Sequence, residues 1–592
     1  MIQVKLTQAK SENKKIHMIQ RILLLAMLSL GFVISLKAQQ DKTKGWHLLD
    51  EKTDSFYGIS LNKAYDFLKN KPAKPIIVAV IDSGIDTTHE DLKNVLWANP
   101  KEIPGNGIDD DGNGYVDDVH GWNFLGSKDG QNLKDGGDET TRIFYRYKDK
   151  FSQKDLKDDT VTAEDKREYK LWKKASGKIN ATSLSDQQAE VTFWKSTLRN
   201  LRKADSILQN DLNKKSYTGE DLEAFAPTSI DSKKAKMIFI TLLRMANADN
   251  TTESAQLVSE LSEYAEGKRK ALDARLNRPQ DARAKIIQDN YNNINDRFYG
   301  NGDVMGPSPL HGTHVSGIIA AQRNNNIGID GVADNVQLMM IRAVPDGDEY
   351  DKDIALAIRY AVDNGAKIIN MSFGKGLSPE KKWVDEAVHY AEQKDVLIIH
   401  AAGNDGQDVD SVENYPNANL KTMNMFATNI ITVGASADPR INNGKIIADF
   451  SNYGAKTVDV FAPGVKIYST LPGGHTYGFL QGTSMAAPVV TGIAALIRAH
   501  FPSLTAQQVK YAIEKSASSP SSVSFSITYP GKNESTTMTN LETSGGIVNA
   551  YGAMQLATEL KPEPKGKKAT TPHIKKYNAV PKSSVQKTEV KR

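Results

Sequence analysis

Cysteine is absent from all 592 residues. That removes disulfide staples, thiol chemistry and lipid attachment through sulfur together, so stability must come from packing and from bound ions. An excess of one charge is missing too. Seventy-five Lys and Arg face 71 Asp and Glu, a formal net charge of +4. This is too near balance for the broad basic field that nucleic-acid binding requires, and no nucleic acid is expected as a partner. Aromatics are sparse at 7%, yet the 39% apolar fraction suits a globular chain and not a disordered one. A hydrophobic run of comfortable membrane-spanning length is also lacking. The run Ile22 to Leu36 is too short for that.

What is present begins with that run. Lys14, Lys15 and Arg21 precede it and Lys-Ala-Gln-Gln follows, which reads as a leader over residues 1–38 cut after Ala38, with no stable membrane span afterwards. Two alternatives stay open: an N-terminal anchor helix, because Leu36 is not the small residue preferred before such a cut, and a start at Met18. The chain is long enough for a sizeable core and at least one accessory unit. Ile76 to Ile81 is a continuous apolar run ended by Asp-Ser-Gly, the signature of a strand buried on both faces. Runs at 336–344, 366–374 and 395–404 repeat the pattern, the first two followed by helical stretches at 351–364 and 379–394. Strands alternating with amphipathic helices predict an α/β fold, a mainly parallel sheet between helical layers. Functional groups are then expected at the carboxyl ends of the strands, where Asp82, Asn370 to Gly374 and Ala401 to Asn404 fall.

This core spans residues 39–129 and 299–558. Between them, residues 130–298 are rich in Lys, Glu, Asp and Gln, and Val191, Trp194, Leu198, Leu201, Leu208 and Leu212 mark one face of a long helix. Leu257, Leu261, Tyr264 and Leu272 mark a second. The region reads as an α-helical insertion, a pair or small bundle. Residues 559–592 are basic, proline-containing and poor in apolar residues, a solvated tail.

Three residues carry candidate chemistry. Gly482 and Thr483 lead to Ser484 at the start of an Ala-rich helix, where backbone N–H groups and the helix dipole favour developing negative charge; a plain N-cap is the alternative. A glycine-bearing turn delivers His311 at the head of a small-residue helix, where neutral imidazole can take a hydroxyl proton. His311 and His314 as a metal pair is the rival reading, but HxxH lacks the acidic partner of that motif, and His314 reads as structural. Asp82 at a strand end can fix an imidazole tautomer or simply form a turn. The order Asp, His, Ser is the one the general scheme of catalytic triads gives for subtilisin.

VAVIDSGIDTTHEDL (78–92), HGTHVSGIIAA (311–321), NMSFG (370–374), AAGN (401–404) and GTSMAAP (482–488) together resemble the subtilase family of serine proteases, over roughly 57–125 and 300–558. The resemblance implies a subtilisin-like three-layer fold and an exported, periplasmic or secreted endopeptidase acting on proteins or peptides. In it Asp82 orients, His311 is the base and acid, Ser484 is the nucleophile, and the Asn404 amide joins the Ser484 N–H as the oxyanion hole. Ser372, Phe373 and Gly374 would form the edge on which a peptide lies as an added strand. Ala402 and Gly403 would line a first specificity pocket roomy enough for large apolar side chains, unless Phe373 narrows it. Asp82 and His311 stand 311 − 82 = 229 positions apart because the insertion intervenes, and the insertion is expected to limit access to the site or to recruit a partner.

No cofactor is expected for catalysis, but NGIDDDGNGYVDDVHGW (106–122) suits a structural calcium ion. Asp109, Asp111, Asn113, Tyr115 through its carbonyl, and Asp117 occupy ligand positions of an EF-hand-like loop, with Gly114 at the tight turn. His120 stands where the bidentate glutamate belongs, so the last ligand must come from elsewhere, with Asp118 one candidate. An acidic turn without an ion is the alternative.

Overall fold

The computed structural model describes residues 43–152, 162–245, 250, 252–520 and 527–562; the leader and nearly all of the basic tail lie outside them. The first strand is β1 (Ile76–Asp82), followed in the chain by β2 (Gly121–Asn123), β3 (Val336–Arg342), β4 (Ile368–Met371), β5 (Leu397–Ala401), β6 (Ile430–Ser436) and β7 (Val460–Pro463). They form one seven-stranded sheet in the order β7-β6-β5-β4-β1-β3-β2, with every pairing parallel. Both faces are covered, as an all-parallel sheet demands. Successive residues of β1 go to opposite layers: Val78 and Val80 enter one apolar core, Ala79 and Ile81 the other.

The helices are α1 (Leu61–Leu68), then α2 (Glu139–Phe151), α3 (Ala163–Ile179), α4 (Leu184–Leu212), α5 (Ile230–Met245), α6 (Ser254–Leu276) and α7 (Ala282–Ile286) of the intervening region. They continue with α8 (Leu310–Ala320), α9 (Asp351–Asp363), α10 (Lys381–Gln393), α11 (Thr483–His500), α12 (Ala506–Ser516) and α13 (Ala550–Glu559), with a six-residue helix at Gly219–Ala224 and single-turn pieces besides. Val315 and Ile318 of α8 and Val489 and Ile493 of α11 fill one layer. Ile354 and Ile358 of α9 and Val384 and Val388 of α10 fill the other. Strands β6 and β7 are absent from the sequence reading because their runs are punctuated: Thr432 and Gly434 interrupt one and Pro463 ends the other.

The intervening region is helical, but not from its first residue: Asp135–Gly137 pairs in parallel with Asp346–Gly347. Helices α4, α5 and α6 build their own core around Leu201, Leu208, Phe239, Leu242 and Leu257. The face read from sequence is where α4 packs, and Trp194 and Tyr264 meet edge to face at 5.0 Å. Helices α2 and α3 enclose a smaller cluster, Ile143, Tyr147, Phe151 and Ala175, joined by Leu377 of the core. On the return path Arg283 of α7 is buried against Asp353 of α9 at 2.5 Å and Asp289 at 3.0 Å. Among the described residues no helix is long and apolar enough to cross a membrane.

Candidate active site

Asp82 is the last residue of β1, and its Oδ1 accepts from the Ser83 N–H at 2.7 Å. Helix α8 approaches it closely because residue 312 is glycine: a Cβ there would lie 2.2 Å from the Gly84 carbonyl oxygen and 3.2 Å from Asp82 Cβ. The approach brings His311 Nδ1 to 2.8 Å from Asp82 Oδ1. Nδ1 is the donor, since the carboxylate can only accept, which leaves Nε2 as the basic nitrogen. Burial opposes an imidazolium here, but the charge and hydrogen bond of Asp82 outweigh it, and the His311 pKa lies above its ordinary value. Asp82 is nearly fully buried while His311 is 37% exposed, so the imidazole keeps access to solvent. His314, one turn on, donates from Nε2 to the Gly478 carbonyl at 3.2 Å, and burial pushes its pKa down to about 3. It is a neutral packed residue.

Ser484 is the second residue of α11. Gly482 before it holds φ at +151°, open to glycine. A Cβ at Gly482 would lie 3.3 Å from Asn404 Nδ2 and 3.6 Å from Ser484 N. These two nitrogens, with Asn404 Oδ1 at 3.7 Å, lie beside the space that the missing side chain leaves. Asn404 is oriented by Thr483: its Oδ1 accepts from the Thr483 N–H and hydroxyl, both at 2.9 Å. Its Nδ2 donors are thereby turned to the cleft. Thr483 Oγ1 also accepts from the Gly403 N–H at 3.1 Å. The Ser484 hydroxyl donates to the Ser372 carbonyl at 2.9 Å; it is held at the segment that follows β4 and is not aimed at His311.

Ser372 is buried, Phe373 half-buried and Gly374 exposed, in a row beyond β4. The Ser372 hydroxyl donates to the Ser484 carbonyl at 2.9 Å and accepts from Asn370 Nδ2 at 2.9 Å. Pro488 explains the first bond. A helix would satisfy the Ser484 carbonyl from the N–H four residues on, and proline has none. His400 donates to the Phe373 carbonyl at 2.9 Å, neutral because burial lowers its pKa to about 4. Ala402 is buried, its carbonyl taken by the amides of Asn452 and Asn414, both at 2.9 Å; Gly403, at φ +98°, leaves room for Asn452. Sequence reading passed over Thr483 and His400. Thr483 sits inside the GTS motif and could have been suspected; His400 is one polar residue in an apolar strand, and only the fold shows what it reaches.

In the acidic loop the carboxylates of Glu102, Asp109 and Asp111 each bring an oxygen within 4.8 Å of the others. Asp109 accepts from the Asn113 and Gly114 N–H groups at 3.0 and 2.8 Å. The Asn113 amide is taken by Tyr115 N and Asp118, and the Tyr115 ring is buried against Trp122 at 5.0 Å. Asp117 turns away, accepting from the N–H groups of Gly105 and Gly107 at 2.8 Å. Asp118 is buried beneath the loop on Tyr360 at 2.6 Å, and burial raises its pKa to about 6. Glu102, lying ahead of the motif and unsuspected from sequence, leaves its Oε2 buried with no hydrogen-bond partner. An oxygen set with one unsatisfied buried carboxylate oxygen fits a hard cation; Lys101 Nζ lies 3.8 Å from Asp111.

The sequence model of the subtilase family matches residues 73–553. The chain is 37% identical to thermitase of Thermoactinomyces vulgaris over 246 residues, 41% of this chain and 75% of that one. It is 39% identical to subtilisin BL of Lederbergia lenta over 210 residues, 35% of this chain and 70% of that one. With the thermophilic serine proteinase of Bacillus sp. strain AK1 it shares 42% identity over 188 residues, 32% of this chain but only 42% of that proteinase.

Proposed function

We propose, from the premise that this chain belongs to the subtilase family of serine-type endopeptidases, that it is an exported endopeptidase working through Asp82, His311 and Ser484. The observation that carries this reading is the 2.8 Å contact of Asp82 with His311 at the carboxyl end of β1, beside the end of β4, where the Ser372 carbonyl accepts from the Ser484 hydroxyl. A peptide laid along Ser372 to Gly374 presents its own backbone donors to the Ser372 carbonyl, which frees the Ser484 hydroxyl to turn to His311 Nε2. The oxygen then attacks the scissile carbonyl as its proton passes to Nε2, and Asp82 stabilises the imidazolium. Asn404 Nδ2–H and the Ser484 N–H hold the oxyanion. Nε2–H protonates the leaving amine, which departs and leaves an acyl ester on Ser484. Water, deprotonated by the same nitrogen, releases the acid and restores the hydroxyl.

Export rests on the leader read over residues 1–38. Calcium, bound by Glu102, Asp109 and Asp111, is proposed as a structural ion that neutralises their mutual repulsion and ties the loop to the fold. It takes no part in the reaction. The intervening helices touch the core beyond residues 372–374 through Lys174, 2.6 Å from Glu413, and Arg167, which donates to the Pro379 carbonyl at 2.5 Å; this supports a role in access.

Hydrolysis of unfolded casein by the purified chain, beside Ser484→Ala and with a fluorophosphonate label, tests the reading. Cleavage and labelling are both expected, and both lost in the variant. A folded chain that does neither would instead be a silent scaffold using its helices for recognition.

A further inference from the structure

Beyond Gly374 the chain packs against the intervening helices. Lys375 is buried, its Nζ 2.7 Å from Glu139 Oε2 and 2.8 Å from Asp351 Oδ1 and donating to the Glu349 carbonyl at 2.7 Å. Glu139 opens α2, and it is fixed in turn. Its N–H donates to Asp348 Oδ2 at 2.7 Å, and its carboxylate takes Arg142 at 2.8 Å. Two residues after Lys375, Leu377 is 3% exposed within the apolar cluster of α2 and α3.

The segment is therefore held from two sides. Ser372 and His400 bind it to α11 and β5 through the contacts described above, while Glu139 and Leu377 bind it to helices that lie between the two halves of the core in sequence. A strand that pairs with an extended peptide gains affinity by being ordered beforehand. Leaving a buried ammonium short of one carboxylate is costly enough to shift the backbone that carries it.

We propose that Glu139 is a positioning residue for substrate binding: through Lys375 it holds residues 372–374 in the conformation that receives a peptide, which makes α2 and α3 one wall of the cleft and not a detachable cover. The proposal rests on the reading of 372–374 as the substrate edge.

The test compares Glu139→Gln with the parent chain in two settings. In the Ser484→Ala background, the Kd of a fluorescein-labelled peptide of about ten residues taken from casein is measured by anisotropy. In the active chain, kcat and KM are measured per fluorophosphonate-labelled site. Kd and KM are each expected to rise about tenfold, equivalent to about 1.4 kcal/mol, with kcat falling less than about threefold. A Kd and KM equal to the parent's, or a loss confined to the fraction of sites that label, would overturn the proposal, because the second is what a merely structural residue gives. If Glu139→Gln fails to fold by circular dichroism, Leu377→Val takes its place, with a rise of about threefold expected and no rise overturning it. Ser484→Ala protein that binds no peptide before any change at Glu139 marks failure of the substrate-edge reading itself, and the proposal falls with it.

Discussion

Ser372 and Ser484 hold each other reciprocally: each hydroxyl donates to the other's carbonyl oxygen, both at 2.9 Å. One bond repairs a helix defect; the other, on the proposed reading, holds the nucleophile against the substrate edge. On that reading the two bonds have different fates when substrate binds, since the first persists while the second breaks.

The repair can be tested apart from the other bond. Ser372→Ala leaves the Ser484 carbonyl without a donor inside a protein interior, which costs about 1–3 kcal/mol. Restoring the missing N–H by Pro488→Ala should recover most of that loss in the double variant, although Pro488→Ala alone gains little because Ser372 already serves the carbonyl. Denaturant midpoints of the four proteins form the cycle. A double variant no more stable than Ser372→Ala would refute the assignment.

Asp82 raises the His311 pKa, and its effects on activity and stability have opposite signs. Activity needs neutral imidazole, so kcat/KM should fall on acidification through a midpoint above the ordinary histidine value. The pair stabilises the fold by holding the protonated form. That contribution is complete below the unfolded pKa and is lost as pH rises through the higher folded one. Asp82→Asn should move the acid limb of kcat/KM to lower pH, remove the pH slope in stability, and lower kcat by about ten-thousandfold. An unmoved acid limb in that variant would mean another group sets it.

Asn404→Ala removes one of the two donors that lie beside Gly482. A fall in kcat of about 100- to 1,000-fold with little change in KM is expected, because the donor is engaged only once the oxyanion forms. Thr483→Val should produce a weaker version of the same pattern by freeing the Asn404 side chain to rotate. Steady-state kinetics on a short peptide decide both, and a change in KM alone would speak against an oxyanion role.

Much of this was legible in the sequence, for reasons that differ by residue. The apolar run Ile76 to Ile81 announces a strand buried on both faces, and the face marked by Leu201 and Leu208 announces a helix, because periodicity follows directly from burial. Gly312 beside His311 signals close approach, although which backbone it approaches is decided by a residue 228 positions away, Gly84. What stayed hidden depends on long-range contact. His400 gains its role only when β4 and β5 lie side by side, and Glu139 is one charge among many in a region rich in Lys, Glu, Asp and Gln. At Asp117 spacing and geometry part: a ligand scheme counts positions along the chain, whereas that carboxylate accepts from the Gly105 and Gly107 N–H groups.

The acidic loop gives the last prediction. If calcium sits among Glu102, Asp109 and Asp111, its removal leaves three carboxylates converging within 4.8 Å with one oxygen of Glu102 buried and unpaired. Chelation should therefore lower the thermal midpoint of the Ser484→Ala protein, chosen so that self-digestion does not intrude. Added calcium should restore it in proportion to RT ln(1 + [Ca²⁺]/Kd). Glu102→Gln keeps the shape but gives up charge and one strong ligand, so it should abolish most of the calcium-dependent shift while making the calcium-free protein no less stable. Asp117→Asn should weaken the loop equally with and without calcium, because its carboxylate serves Gly105 and Gly107. A thermal midpoint indifferent to calcium in the parent protein would leave the Glu102 oxygen to Lys101 and the loop as an acidic turn. A calcium shift lost in Asp117→Asn but kept in Glu102→Gln would return the ligand set to the one that spacing alone predicts.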